Sequence, residues 1–502
     1  MTGESKQVVI AQSAPESGLH RFAVSDWQPS GNSSGNSCHT SIAQSGSYGK
    51  PGSGYLSGLT VFCLLMFLCI SSSTANPLLG VQGQNSTQQN MDVVLFDACA
   101  TRNDQLTANF KKRCDNVVGA SLDNPQTQAL NAIQEVSPEQ LVAIQDQSTN
   151  ISGGNLNVVD GTIGQRVAAL RLAGADSQGI QFAFNGQPGL VSDFAHATGG
   201  AAGDDVSGIA SPWGGFVNML YNWGDVDETF ESQRGFDFDN WGVIAGADYR
   251  FTENVVLGGA VSYFNTDADF DNNAGKTESD SYNGSIFGTY YWGQRFFIDG
   301  IATIGTSDFD TERRIKYAIS SNQVDPTGDT VNTTANGSPD ATQFSFTANA
   351  GYNLDWDALT VTPYARASYI LVDMDSYKES NGNGWDMDVD SQDFTSRTTT
   401  LGTQMTYALS TRWGVVVPQI HGEWTHEFNN GGRGIKLAYL GDPARAEYKT
   451  SPDSRDKDYF NVGIEVAGTF AHGVSAYLGY EKLLGYSDIT SNTLKAGIRM
   501  EF

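Results

Sequence analysis

The sequence predicts an all-β transmembrane barrel of twelve antiparallel strands, preceded by a small α-helical region. Three observations carry the prediction. From Trp213 onward the chain runs in segments of about ten residues whose polarity alternates with period two, tight turns alternate with long polar connections, and the last segment alternates without a break and ends on an aromatic residue. A soluble sandwich would share the period but has no reason to alternate its turn lengths, which a barrel with short periplasmic turns and long external loops does.

Composition points the same way. The 502 residues carry 56 acidic and 29 basic side chains, a formal net charge of -27. Such a chain neutralises no phosphate backbone, which excludes nucleic acid as a partner. With 17% charged residues and a mean hydropathy of -0.31 it is too polar for a bundle of membrane helices. Its 56 Gly, 20 Tyr, 26 Phe and 9 Trp are the usage of a β protein.

Residues 1–54 are Ser/Gly/Gln-rich without hydrophobic period and read as a disordered leader or a mis-called start. Gly31-Asn32-Ser33-Ser34-Gly35 matches G-x-S-x-G, but no strand precedes it and no helix follows, so it reads as chance. Residues 55–75 read as a signal peptide. The apolar run Leu59–Ile70 falls short of the roughly 20 residues that span a bilayer as a helix, and small residues precede a cut after Ala75. The basic flank is thin, with Lys50 the nearest positive charge, and Phe67-Leu68 before Cys69 is a poor lipobox. Beyond the cut only Cys99 and Cys114 remain. Export places them in an oxidising compartment, where a bridge closing that loop contributes roughly 3 kcal/mol.

Residues 76–159 read as a short helical region. Leu106, Phe110, Cys114 and Val117 recur at helical spacing, and Ser137-Pro138-Glu139-Gln140 reads as N-cap, N1 proline and capping box of a short helix carrying Leu141 and Ile144. At roughly 85 residues this region is marginal as an independent core. It contains no His and no nucleophile near a base. In residues 160–212, a linker, a separate helix is expected from about Thr162 to Leu172, with Ile163, Val167 and Leu170 on one side and Arg166 and Arg171 on the other.

The barrel occupies residues 213–502, with strands beginning near 213, 239, 255, 278, 295, 340, 359, 393, 414, 457, 473 and 491. Short turns are expected at 252–254, 293–294, 355–358, 410–412 and 471–472, and long loops around 224–238, 265–277, 307–340, 372–392 and 427–456. An even count puts both ends of the barrel on the periplasmic side, and hydrocarbon forces closure because it cannot satisfy an open sheet edge. In Asn461–Phe470, Val462, Ile464 and Val466 share the lipid face while Glu465 points inward. The same alternation turns Asp248, Arg250, Glu481, Lys495 and Arg499 toward the lumen, where they line a wet pore or, for the carboxylates, pair with Arg166 and Arg171.

In the final strand Leu494, Ala496, Ile498, Met500 and Phe502 alternate with Lys495, Gly497, Arg499 and Glu501. This resembles the C-terminal signature read by the barrel assembly machinery of the Gram-negative outer membrane. The stretch Gly164–Arg171, Trp213-Gly214-Gly215-Phe216, Gly246–Arg250, Tyr282-Asn283-Gly284 and the Gly497–Phe502 ending, in that order, resemble the autotransporter β-domain of type V secretion. The resemblance implies a twelve-stranded barrel with the linker helix in its lumen, delivering a passenger, here residues 76–159, to the cell surface. It also implies a monomer that contacts outer-membrane lipids and lipopolysaccharide and is escorted by periplasmic chaperones. Two features depart from the family. The passenger is far shorter than β-helical stalks and has no solenoid repeat, and no Asn-Asn cleavage pair falls in residues 160–174, so release of the passenger is not expected.

No catalytic site, metal or cofactor is expected. His421 and His426 lie five apart on a strand and so point to opposite faces, which disfavours a metal site with Glu423. The outer-membrane phospholipase run His-x-Ser-Asn-Gly is missing its serine at His426–Gly431. The acidic runs Asp267–Asn273 and Trp385–Asp390 lack the Gly and terminal Glu of a calcium loop and read as solvated surface. The alternative to self-export is a porin-like or adhesin barrel whose helical segment stays in the periplasm.

Overall fold

The computed structural model describes residues 76–502, apart from 124–125, 138, 175–180, 185–186, 191–211, 230–233, 294, 323, 413, 430–433, 451–453, 455, 471–473 and 502. The stretches expected to be a leader and a signal peptide, and Phe502, therefore lie outside the described residues.

Twelve antiparallel strands form the barrel: β1 (Trp213–Val226), β2 (Phe236–Thr252), β3 (Val255–Phe270), β4 (Gly275–Trp292), β5 (Phe296–Ile319) and β6 (Asp340–Tyr352), followed by β7 (Leu359–Met374), β8 (Gln392–Tyr407), β9 (Gly414–Glu427), β10 (Asp458–Thr469), β11 (Val474–Leu484) and β12 (Ile489–Glu501). Each pairs with its successor, and β12 closes the ring on β1 in register from Ile489↔Val226 to Glu501↔Gly214. Closure leaves no unpaired edge for hydrocarbon to solvate. Every strand starts within three residues of the position expected from alternation.

The outward face carries Val217, Met219, Val261, Ile286, Ile464 and Ile498, all exposed as lipid contacts. Aromatic belts bound it. Trp213, Tyr249 and Phe251 meet edge to face at one end (4.9 and 4.7 Å between ring centroids), and Trp241, Tyr263 and Tyr282 cluster at the other (5.3 and 5.2 Å). Trp213 and Trp223 belong to opposite belts, and the ten residue steps from one to the other, tilted, span ~25 Å, the height of an outer-membrane apolar band. Among the described residues no helix is long and apolar enough to cross a membrane; the strands do so.

Two expected loops are strand instead. The stretch 265–277 is a hairpin with its turn at Asp271–Ala274, where Asn272 and Asn273 take φ of 57° and 59°. β5 runs on to Ile319 and pairs with a further strand, Asp329–Gly337. Above the membrane both faces of a strand meet water or protein, so polar residues no longer alternate with lipid-facing ones and an extended strand reads as a loop. Four short strands, Tyr377–Lys378, Met387–Val389, Ile435–Tyr439 and Tyr448–Thr450, add a small sheet at the same end.

Among the described residues four α-helices precede the barrel. α1 (Ser86–Thr101) opens on a capping box in which the Asn85 side chain accepts from Gln88 N while the Gln88 side chain accepts from Asn85 N. α2 (Ala108–Ser121) is joined to it by the Cys99–Cys114 disulfide. α3 is Thr127–Val136 and α4 is Glu139–Gly174. The region 76–136 is no free-standing core. Leu95, Phe110, Val117 and Ile133 share one apolar cluster with Ile315, Tyr317, Trp385 and Tyr439 of the long-loop end. Each half supplies apolar area that the other lacks.

The two helices expected on either side of residue 160 are one, and the boundary drawn at 159/160 falls inside it. Gly153, Gly154, Gly161 and Gly164 each cost about 1 kcal/mol in a helix interior, so the sequence reads as broken. The barrel offsets that cost by enclosing the helix. A Cβ on Gly153 would stand 3.0 Å from the Phe394 ring.

Candidate functional site

α4 begins among the long loops, where Gln140 Nε2 donates to Arg314 O (3.5 Å), and descends through the lumen toward the short-turn end. One side of it is apolar. Val159, Ile163 and Val167 pack against Phe216, Leu220, Ile244, Phe264, Phe287 and Ile301. These inward residues were missed in the sequence, where the lumen was expected to be polar throughout. The signal lay in their parity: Phe216, Phe264 and Phe287 each sit two residues from an inward polar residue, Asn218, Ser262 and Ser285.

Polar tethers fix the height of the helix. Asn155 accepts from Asn240 Nδ2 (2.7 Å) and donates to Ser281 Oγ (3.4 Å). Asp160 accepts from Thr347 Oγ1 (2.7 Å) and Thr303 Oγ1 (3.1 Å). Lower down, Arg166 Nη2 lies 2.6 Å from Asp248 Oδ2, its guanidinium 5.6 Å from the centre of the Phe216 ring. Gly214 leaves room for this pair, since a Cβ there would stand 2.3 Å from Arg166 Nη2. Asn155 and Asp160 carried no sequence signal, because a lone polar residue on a helix has no recognisable partner until the wall is in place.

Between α4 and the wall lies a cavity of about 900 Å³, lined mostly by residues of β7 to β12. Facing it, Arg366 pairs with Glu423 (2.5 Å), and Tyr364 OH donates to the same carboxylate (2.5 Å). Lys495 pairs with Glu481 (2.9 Å), His421 Nε2 lies 3.3 Å from Glu481, and Gln419 Nε2 donates to Glu465 (2.6 Å). Glu423 and Glu481 each meet a cation, while Glu465 meets the Gln419 amide.

The residues expected in the lumen distribute accordingly. Asp248 binds the helix, and Glu465, Glu481, Lys495 and Arg499 line the cavity. Arg250 is half-buried at the short-turn end, where its amide donates to Pro212 O (2.9 Å). The Arg171 side chain lies outside the description. Leu494, Ile498 and Met500 are lipid-exposed and Ala496 is half-buried. His426 stands on the outer face beside Asp458 (2.9 Å), opposite to His421. In the acidic run 385–390, Asp388 pairs with Arg445 (2.9 Å), Asp390 with Lys436 (3.2 Å), and Asp386 accepts from Gly382 N (2.6 Å). Among the described residues no cluster of His, Cys, Asp and Glu could hold a metal ion.

At the long-loop end a buried socket receives α2. Phe110, fully buried, lies 5.7 Å edge-on from Trp385 and 4.9 Å from Tyr439. Beneath it, Arg313 donates to both carboxylate oxygens of Glu379 (2.8 and 2.6 Å) and to Trp385 O (2.8 Å). Trp385 Nε1 donates to Tyr317 OH (3.0 Å). In α1, Asp92 accepts from Gln84 Nε2 (2.5 Å), and burial pushes its carboxyl up to about 7. Burial also raises Glu139, at the head of α4.

The family model for the autotransporter β-domain matches residues 215–481. Outer membrane protein B of Rickettsia typhi is 25% identical over 330 residues, covering 64% of this chain and 18% of that protein. Esterase EstA of Pseudomonas aeruginosa is 28% identical over 222 residues, covering 43% of this chain and 31% of that protein. The chain thus spans about a fifth to a third of the length of these curated relatives. Among solved structures, the translocator domain of autotransporter NalP from Neisseria meningitidis is similar over 62% of this chain and 98% of that one, at 13% identity and a TM-score of 0.46. With more than half of its residues matched, this chain belongs to the autotransporter β-domain family and is an outer-membrane translocator of the Gram-negative type.

Proposed function

We propose that this translocator carries its own segment 76–136 across the outer membrane and presents it on the cell surface as a binding or adhesive element, not as an enzyme. The observation that supports this reading is the direction of α4. Its head, Glu139, lies beside Asn85 and Gln88 among the long loops, and Arg166 lies near the short-turn end. The segment ahead of α4 therefore stands with the long loops, which face outward in such barrels. The absence of His from residues 76–159 speaks against acid–base chemistry there. Lipopolysaccharide and outer-membrane lipids would surround a monomeric barrel delivered by periplasmic chaperones to the assembly machinery.

Surface labelling of a tag inserted at Asn124, on intact cells and again after permeabilising the outer membrane, tests the reading. Labelling of intact cells is expected. Labelling only after permeabilisation would retire self-export and leave a porin-like barrel, a second reading that the cavity beside α4 favours.

A further inference from the structure

The disulfide-linked hairpin of α1 and α2 meets loop residues distant from it in sequence. Phe110 fills the socket between Trp385 and Tyr439. Two glycines admit it: a Cβ on Gly441 would stand 2.3 Å from Phe110 Cβ, and one on Gly384, where φ is +103°, 3.0 Å from the backbone of Asn109 and Phe110. Charges ring the aromatic contact. Arg113 pairs with Asp329 and its Nε donates to Asn383 O (3.2 Å), while Lys112 stands 3.6 Å from Asp329. Arg102 donates to both oxygens of Asp442 (2.7 and 3.4 Å), and Thr107 N donates to Gly441 O (3.0 Å). Asp329 and Asp442 are 4% and 1% exposed, so each carboxylate is buried against a hairpin cation.

An aromatic anchor in a desolvated pocket, flanked by arginines that meet buried carboxylates, is the anatomy of an interface hot spot rather than of a chance crossing of chains. The disulfide fixes α1 against α2, so Arg102 and Arg113 are presented together with Phe110 and little freedom is lost on docking.

We propose that Trp385, Tyr439, Gly441, Asp329 and Asp442 form a docking site for this chain's own hairpin, Ser86–Ser121, and that the site retains the hairpin after the backbone joining it to the barrel is cut. The inference rests on the export reading for where it operates, and on the socket alone for whether it holds.

The test uses the full chain with a tobacco etch virus protease site inserted between α2 and α3 and an epitope tag at Gln82. In detergent micelles the cut hairpin is expected to co-elute with the barrel on gel filtration. Phe110→Ala and Arg113→Ala are each expected to speed its release about thirtyfold or more. Gly441→Val, on the socket side, leaves the hairpin's own sequence intact and is expected to do the same. Release from the unsubstituted chain on cutting, or retention unchanged in all three variants, overturns the docking site. On intact cells the cut fragment is expected to stay with the pellet. Cutting that requires permeabilised cells would overturn the export reading and leave the result in micelles to decide docking.

Discussion

Arg166 of the lumen helix and Asp248 of β2 form an ion pair at 2.6 Å in which each side chain is 3% exposed. The pair ties α4 to the wall at a depth where neither charge can be rehydrated in place. Removing one partner strands the other, at a cost of ~3–5 kcal/mol. Arg166→Ala and Asp248→Ala are each expected to lower the thermal stability of the barrel in micelles by that amount, and the double variant by less than the sum. Additive losses would show that the two side chains act independently.

The pH dependence of segment 76–136 has a definite sign. Asp92 titrates near 7 in the folded protein, against an ordinary value of 3.8, because burial disfavours its charge. The folded state therefore holds a proton that the unfolded state has released between about pH 4 and pH 7, and stability falls as pH rises through that window. Glu139, raised for the same reason, adds in the same direction. Segment 76–136 is expected to resist proteolysis better at pH 5 than at pH 8. Asp92→Asn should weaken the dependence and protect the segment at pH 8 by at most ~4 kcal/mol. A flat response in the unsubstituted chain would contradict the assignment.

Cys99 and Cys114 stand 15 residues apart, and their bond joins α1 to α2. Replacing both by serine is expected to remove ~3 kcal/mol from the hairpin. Protease accessibility of residues 86–121 should rise while the heat-modifiable migration of the barrel is unchanged. A parallel loss of barrel stability would mean that hairpin and barrel unfold as one unit.

Ile464 lies 62% exposed on the lipid face of β10, one residue from the cavity-lining Glu465. Ile464→Lys is expected to destabilise the folded barrel by ~2–4 kcal/mol, the cost of a cation near the bilayer midplane. Glu465→Gln, facing water in the cavity, should cost far less. Equal effects in reversible unfolding from liposomes would mean that the faces are misassigned.

Much of the barrel was legible because a strand between lipid and lumen obeys one rule along its length. Trp241, Val261, Ile464 and Ile498 announce their face by parity alone, and the strand starts follow. The rule lapses where lipid ends, which is why Asp267, Asp269 and the stretch from Ser307 to Ile319 read as loop although they are strand.

The lumen was half legible. Arg166 and Asp248 could each be expected in the lumen, the arginine facing some inward carboxylate, but which carboxylate it meets was not legible. The apolar wall of Phe216, Phe264 and Phe287 could not, since on those strands an inward phenylalanine contradicts the expectation of a wet pore until α4 is present to cover it.

The sequence by itself determined the barrel, its strand count and the disulfide-bearing helical region, since each depends on periodicity or on cysteine arithmetic that neighbours in the chain reveal. Only the tertiary structure decided that Glu139–Gly174 is a single helix and that residues 76–136 share a core with the loops. Both outcomes depend on surfaces brought together across hundreds of residues. The barrel wall offsets the cost of four helical glycines, and Trp385 and Tyr439 complete a pocket for Phe110 that no local pattern encodes.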